Sequence, residues 1–506
     1  MEFKSILFGE EEPELIQSEP AYFQDLSLDG ILNIIQRNVR TYSLQPYFYT
    51  MPKSNDMIEY RHRIFEDIAN DTLLDAVSEF CRKCHQSRES FRLAKQSENS
   101  IQAAAYHLKA AVIYWEGITR FAKDLAACDL TSDGFQSLEE YVSRHIEAGR
   151  EKKLDQAIAH IGEIFSQIEF RLEIHRDQIT ITEEPGEQDY LQELADLLPE
   201  SESNKTERIQ GVFPNPLEPS YLEMTLIEIL RKSKPQWMKD LMDFHRSYPD
   251  FYSERLLQFE QEVQFYISFT ELKKKTEQMG YRMQFPKISN GRTFVGKGIY
   301  DLALVWKNAR TQYEVVDNDI KYPQHASFFV VTGPNQGGKT TFARSVGQSV
   351  YLAMMGLYTN ACSLELPFFD GIATHFEVEE SIRSNAGKLK EEIDRLAPMM
   401  HRDKKNQFII LNELFTTATT HDAKIMGKKV MQHFLSQDCY GIYVTHIQEL
   451  AKQTENIISL VAQVEDGSEK KRTYRILPMQ AQGYGYSDSL VREYELRYED
   501  IMRRLS

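Results

Sequence analysis

Long apolar runs are missing from this chain of 506 residues. None reaches the length of a membrane-spanning helix, so no membrane is expected among its partners. Cysteine is scarce, five in all with one close pair, which leaves no disulfide framework and no sign of an oxidising compartment. Positive charge is in deficit: 59 Lys and Arg stand against 76 Asp and Glu, a formal net charge of −17. That balance excludes a general nucleic-acid binder, and any DNA contact would need a local basic face. A secretion signal is also missing, because MEFKSILFGEEEPEL offers only a short apolar patch followed by acids. A cytoplasmic location is the expectation.

What is present is ordinary for a folded protein, with 42% hydrophobic and 27% charged residues. The length exceeds what one hydrophobic core holds, so about two to four domains are expected. Cys81-Arg-Lys-Cys84-His85 matches a haem-attachment pattern. It lies in an amphipathic helical stretch with no second cysteine pair to complete a zinc site, and reads as ordinary helix-face residues.

From about residue 25 to 275 the pattern is mostly helical. ILNIIQRNV, TLLDAVSEFCRKC, IQAAAYHLKAAVIYWEGITRFAKDL and LDQAIAHIGEIFSQIEFRLEIH repeat apolar residues at three- and four-residue spacing. Long helices with few glycines suit struts or a bundle. A stretch around 183–220, rich in Pro, acids and serines, reads as an exposed insertion. Helices resume with YLEMTLIEILRKS and ERLLQFEQEVQFYISFTELKKKTEQMG. From 283 to 506 short β-type runs (RTFVGKGIYDLALV, SFFVVTG, FIILNEL, GIYVTH, SLVAQVEDGSEKKRTYRILP) alternate with helical segments, the texture of an α/β sheet domain. VEDGSEKK reads as a hairpin turn that makes one edge antiparallel. The fold class expected is therefore α plus α/β, with a helical region over 1–282 and an α/β domain over 283–506.

Gly333-Pro334-Asn335-Gln336-Gly337-Gly338-Lys339-Thr340-Thr341 fills every fixed position of G-x-x-x-x-G-K-[ST]. It follows a predicted strand and opens a predicted helix, the context that a phosphate-binding loop requires. Glycines let successive N–H groups turn inward on phosphate oxygens, and the helix start adds partial positive charge. Lys339 is the group expected on the β- and γ-phosphates, and Thr340 the Mg²⁺ ligand. The cofactors expected are ATP and Mg²⁺. At a second strand end, Phe408-Ile-Ile-Leu411 runs into Asn412-Glu413. A carboxylate normally stands at the first of those polar positions to hold the metal. Asn412 brings an amide oxygen without charge, which can still accept from a metal-bound water. Glu413 is the candidate general base. A buried strand with two polar residues at its exposed end is the plainer alternative.

TGPNQGGKTT resembles the P-loop of the MutS mismatch-repair ATPases, in which Pro-Asn precedes a double glycine. Further landmarks arrive in that family's order: Leu411-Asn-Glu-Leu414 at Walker B, Asp422 at the D-loop, and Val444-Thr-His446 at the strand-end switch histidine. Gly483-Tyr-Gly-Tyr-Ser487 is similar to a late segment of the family. Tyr47 to Ile68 looks like the start of its core, and FVGKGIYDLALV like the segment before its P-loop strand. The resemblance implies an ABC-type ATPase domain, preceded by a core and lever and working as a homodimer with DNA. Glu413 and His446 would serve catalysis. Ser384, Gly387, Lys388 and Asp422 would face the partner subunit's nucleotide. The chain also departs from the family. The core-like pattern starts by Tyr47, so a mismatch-reading domain is not expected, and Walker B carries Asn for Asp. The family's Gly-Arg-Gly-Thr run is replaced by Phe415-Thr-Thr-Ala418, and by resemblance the signature is degraded to Ser384-Asn-Ala-Gly387-Lys-Leu-Lys-Glu-Glu392. Simple mismatch reading is thus not expected, and other DNA structures, such as branched or recombining duplexes, are candidates for the levers. Basic clusters at Arg231–Lys234, Lys273–Lys275 and Lys470–Arg472 are candidate contacts or merely solvated faces. The rival reading is a nucleotide-dependent switch or scaffold that binds proteins and turns ATP over poorly.

Overall fold

The computed structural model describes residues 3–39, 41–166, 171–175, 178–182, 231–232, 235–311, 313–323, 326–376, 387–400, 406–465, 468–480 and 497–505. Two compact units emerge: 1–3 with 70–260, and 4–69 with 261–506. The sequence expectation grouped 1–282 together, whereas residues 4–69 pack with the C-terminal unit. The reason is local polar chemistry described below.

The second unit begins with α1 (Tyr22–Asp25), α2 (Leu28–Asn38), α3 (Gln45–Tyr49) and α4 (Asn55–Ile68). The first unit then follows with α5 (Asp71–Gln96), α6 (Ser100–Ala127), α7 (Asp133–Glu147) and α8 (Gly149–Ser166). Its helices start where side chains cap them. Asn70 accepts from Thr72 N, Asn99 from Ile101 N and Gln102 N, and Ser132 from Phe135 N, each satisfying donors that a helix leaves open. Phe80 and Phe121 stack at 4.5 Å in the core between α5 and α6. Cys81 and Cys84 are buried on one face of α5 and form no disulfide, which suits packing residues. The helical pattern expected through EFRLEIH does not persist. α8 ends at Ser166, and β1 (Arg171–His175) pairs antiparallel with β2 (Gln178–Thr182). The alternation of Leu172 and Ile174 with polar residues suits a hairpin better than another helical turn. The unit continues with α9 (Pro235–Ser247) and the start of α10 (Glu254–Gln278). The insertion around 183–220 and YLEMTLIEIL lie outside the described residues.

The remaining elements all belong to the second unit. They are β3 (Lys287–Ser289), β4 (Phe294–Ile299), α11 (Leu302–Asn308), β5 (Asn318–Tyr322), β6 (Phe328–Thr332), α12 (Lys339–Met354), β7 (Ser363–Pro367) and β8 (Gly371–His375). After them come α13 (Lys388–Met400), β9 (Gln407–Asn412), α14 (Thr420–Ser436), β10 (Tyr440–Val444), β11 (Ile457–Glu465), β12 (Ser468–Pro478) and α15 (Tyr498–Leu505). A six-stranded sheet runs β12-β11-β6-β10-β9-β8, parallel except for the antiparallel β11–β12 edge. That antiparallel edge is where the sequence placed it. Its central strands β6, β9 and β10 are buried at every position, which explains their unbroken apolar runs. A second sheet runs β3-β7-β4-β5. The segment read as one β run, RTFVGKGIYDLALV, splits after Ile299. Gly298 takes a left-handed φ of 60°, and the Asp301 carboxylate then caps α11 by accepting from Leu304 N. Among the described residues, no helix is long and apolar enough to cross a membrane.

One face of α12 holds residues 4–69 in place. Arg344 Nε donates to Asp25 O at 3.4 Å, Gln348 Nε2 to Leu26 O at 2.9 Å, and Tyr351 Oη to Phe48 O at 2.7 Å. Positions 344, 348 and 351 share a helix face by their spacing. Arg61, fully buried, donates to Met355 O at 2.8 Å and to Leu7 O at 3.2 Å, which caps the C-terminal end of α12. Gly347 allows the close approach: a Cβ there would lie 2.5 Å from Leu26 and Ile410 side chains. The helix that carries Lys339 is thereby fixed along its length.

Candidate functional site

The loop between β6 and α12 takes its path from its glycines. Gly333 has φ 126° and Gly338 φ 87°, both left-handed. A Cβ on Gly333 would lie 2.9 Å from Ala462 Cβ and N, and one on Gly337 would lie 2.9 Å from Pro334 O. Any larger residue would therefore close the cradle. Gln336, also left-handed at φ 58°, and Asn335 are exposed at the loop tip. Lys339 opens α12 and is only 5% exposed. Its Nζ donates to Gly333 O at 3.2 Å and Pro334 O at 3.0 Å, folding the side chain over its own loop. Burial lowers its pKa from the usual lysine value; the Glu413 charge works against that, and Arg472 adds to it.

Thr340, one residue on, donates from Oγ1 to Asn412 Oδ1 at 3.1 Å. Asn412 ends β9 and is buried. Glu413 follows in a left-handed conformation (φ 54°), and its N–H donates to Val444 O at 2.9 Å, tying it to the end of β10. His446, just past β10, places Nε2 2.9 Å from Glu413 Oε1. That hydrogen bond is the chief cause that holds the Glu413 carboxyl below the usual range, against an opposing push from burial. Lys339, Thr340, Glu413 and His446 all line one cavity of about 570 Å³, together with Asn335 to Gly338, Thr341 and Phe342.

Other predicted residues stand apart from this cluster. Asp422 is exposed in the first turn of α14, where its carboxylate accepts from Thr419 Oγ1 at 2.7 Å and its N–H donates to the same hydroxyl at 3.2 Å. Gly387 is exposed, and its carbonyl accepts from Lys390 N at 2.8 Å at the start of α13. Ser384, the Lys388 side chain and Gly483 to Ser487 lie outside the described residues. Sequence reasoning missed much of the cavity wall, including Asp301, Leu304, Asn308, Tyr313, Asn318 and Tyr474. The run FVGKGIYDLALV pointed towards the first two. Nothing local marked Tyr474, which sits on β12, has φ 56°, and comes within 3.3 Å of where a Cβ on Gly338 would be.

A buried parallel strand, a glycine cradle, a helix opening with Lys-Thr and two neighbouring strand ends bearing Asn-Glu and His form a strand–loop–helix site suited to a phosphate chain. Comparison with known proteins finds similarity over the same part of the chain. Residues 329–485 match the family model of MutS domain V. The DNA mismatch repair protein MutS of Streptococcus pyogenes serotype M1 is 29% identical over 151 residues, 29% of this chain and 18% of that protein. The protein of the same name from Pseudothermotoga lettingae is 30% identical over 153 residues, covering 29% and 19%. DNA mismatch repair protein msh-3 of Neurospora crassa is 28% identical over 144 residues, covering 28% and 12%. The similarity to MutS proteins lies in this C-terminal part, and the chain matches about a fifth or less of the length of these relatives.

Proposed function

We propose that the chain binds and hydrolyses ATP in this cavity and works as a MutS-like homodimer that couples nucleotide state to DNA. The observation that carries the reading is the convergence of Lys339, Thr340, Glu413 and His446 on one cavity, with Asn412 against Thr340. Lys339 would exchange its two loop carbonyls for β- and γ-phosphate oxygens, which restores the charge stabilisation that burial took from it. Thr340 Oγ1 and Asn412 Oδ1 are adjacent hard oxygens, a neutral set that fits a Mg²⁺ ion keeping most of its waters. Bound there, Mg²⁺ supplies positive charge to the phosphate oxygens. Glu413, ionised and oriented by His446, accepts the proton of the water that attacks the γ-phosphorus as the bond to the ADP oxygen breaks.

In the dimer, Asp422, Gly387, Lys388 and Ser384 would approach the partner subunit's nucleotide. The region 283–506 would act as the ABC-type ATPase domain, and the helical region before it as core and lever. Nucleotide state would shift the population of lever positions through contacts made in one state only. Branched or recombining duplex is the candidate DNA.

A second reading, a nucleotide-dependent switch that binds proteins, has one observation in its favour. Residues 70–260 contain 22 Lys and Arg against 35 Asp and Glu, so that stretch carries −13 of the chain's −17. A lever region of that charge repels phosphate backbones outside local basic faces. Titration calorimetry with MgATP tests the nucleotide step, and absence of heat with folded protein removes both readings. Binding to branched and duplex DNA at graded salt then separates them. The first reading expects affinity that falls steeply as salt rises. No binding at low salt, with and without ATP, assigns the chain to the second.

A further inference from the structure

We propose that Glu392 is a positioning residue for Glu413, an inference that rests on the reading of Glu413 as the base. The turn that leaves β9 is unusual, because Glu413 and Phe415 both take left-handed φ values, 54° and 63°, without being glycine. L side chains disfavour that region, and such backbone persists only where its surroundings hold it. Besides the Glu413 N–H bond to Val444 O, two groups hold it here. On one side the Phe415 ring, 3% exposed, packs into the apolar core with Leu414. On the other, Glu392 Oε1 on α13 accepts from Phe415 N at 2.5 Å. The same oxygen lies 3.7 Å from Nε2 of His375, which is buried at the end of β8.

Glu392 is turned inward, its side chain 16% exposed, instead of extending into water as a helix-surface glutamate would. α13 itself is anchored close by, where Arg395 Nη2 donates to Phe376 O at 3.1 Å. Without the carboxylate, the N–H of a buried residue would lose its acceptor, and the turn would relax towards ordinary backbone angles. Glu413 would then no longer be aimed into the cavity, although Lys339 and the glycine cradle would be untouched. A displacement near 1 Å at a reacting group costs about a hundredfold in rate. Glu392 therefore governs turnover and leaves nucleotide binding alone.

Steady-state ATP hydrolysis, MgATP affinity and amide hydrogen exchange over 413–418 test this in Glu392→Ala and Glu392→Gln. The alanine variant is expected to lose about ten- to a hundredfold in kcat with affinity held, and to exchange faster at those amides. The glutamine variant keeps a carbonyl oxygen in place and is expected to recover most of both. Wild-type turnover and exchange in Glu392→Ala would overturn the inference, as would equal losses in the two variants. A wild-type chain that binds MgATP but never hydrolyses it removes the reading of Glu413, and this inference with it. Normal hydrolysis in both wild type and Glu392→Ala removes this inference alone.

Discussion

The two compact units differ in what they do with polar residues. In the first, long helices pack through aromatic rings such as Phe80, Phe121 and Phe259, and the stretch from 70 to 260 leaves an excess of acids. Its buried polar groups include cap residues such as Ser132 and the ion pair of buried Glu260 with Arg88. In the second, several buried polar groups stand in or behind the site. Arg61, Gln348 and Asp301 hold α12 and α11 in place, Lys339 folds over its own loop, Asn412 meets Thr340 at the strand end, and His375 backs Glu392. Burying such groups is costly unless each finds a partner, so their concentration in one unit marks where geometry has to be held. Net charge points to one unit and chemistry to the other.

The sharpest way to break that contrast is to change one carboxylate in each unit. Glu413→Gln removes the proposed base while keeping shape, and kcat for ATP is expected to fall by about 10²- to 10⁴-fold with MgATP affinity held. Glu140→Gln changes an exposed acid on α7 and is expected to leave kcat where it was. Single-turnover hydrolysis on both variants decides it. Undiminished turnover in Glu413→Gln would strip that residue of its role, and equal losses in both would erase the contrast.

The parts of this site that were legible in the sequence are those built from neighbours along the chain. The cradle is a local object: Gly333 and Gly338 are needed by its own φ angles, and Lys339-Thr340 follow at the helix start. Asn412-Glu413 and His446 were legible because apolar strands end just before them. Residues brought in by non-local packing left no such signal. Tyr474 reaches the cavity from the edge strand, and Arg61 reaches α12 from almost 300 positions away in the chain. The short strand at Arg171–His175 was misread because five residues of alternation fit either period when they follow a helix. The end of β4 was misread because Asp301, a cap, looks like any other polar residue inside an apolar run.

A smaller effect is expected from Asn412→Asp, which puts a carboxylate at the end of β9. A charge-assisted hydrogen bond exceeds a neutral one by about 1 kcal/mol, so Mg²⁺ affinity in the ATP complex should rise about fivefold. The site is buried, so the nucleotide-free variant should melt at a lower temperature than wild type, and MgATP should recover the difference. Thermal unfolding with and without MgATP reads both signs in one experiment. A variant less stable in both states, or with weaker Mg²⁺ binding, would show that the amide is required in this site.

The finest test uses pH on the Glu413–His446 pair. The hydrogen bond from His446 is the largest cause of the lowered Glu413 pKa, burial opposes it, and Lys339 contributes further in the lowering direction. A carboxyl whose folded pKa is depressed stabilises the fold above its unfolded pKa, and that stability is lost as pH falls through the folded value. His446→Ala removes the largest lowering cause and leaves burial opposed by Lys339, so the Glu413 pKa must rise. The acid limb of the ATP hydrolysis profile is then expected to move to higher pH than in wild type, and resistance to acid unfolding to fall in the same window. Well above that window the carboxylate is ionised in both proteins, so any remaining difference in kcat measures orientation by the imidazole and not charge. An acid limb that stays in place in His446→Ala would mean that the imidazole does not control the ionisation of Glu413. The strand-end histidine would then need a role outside this pair.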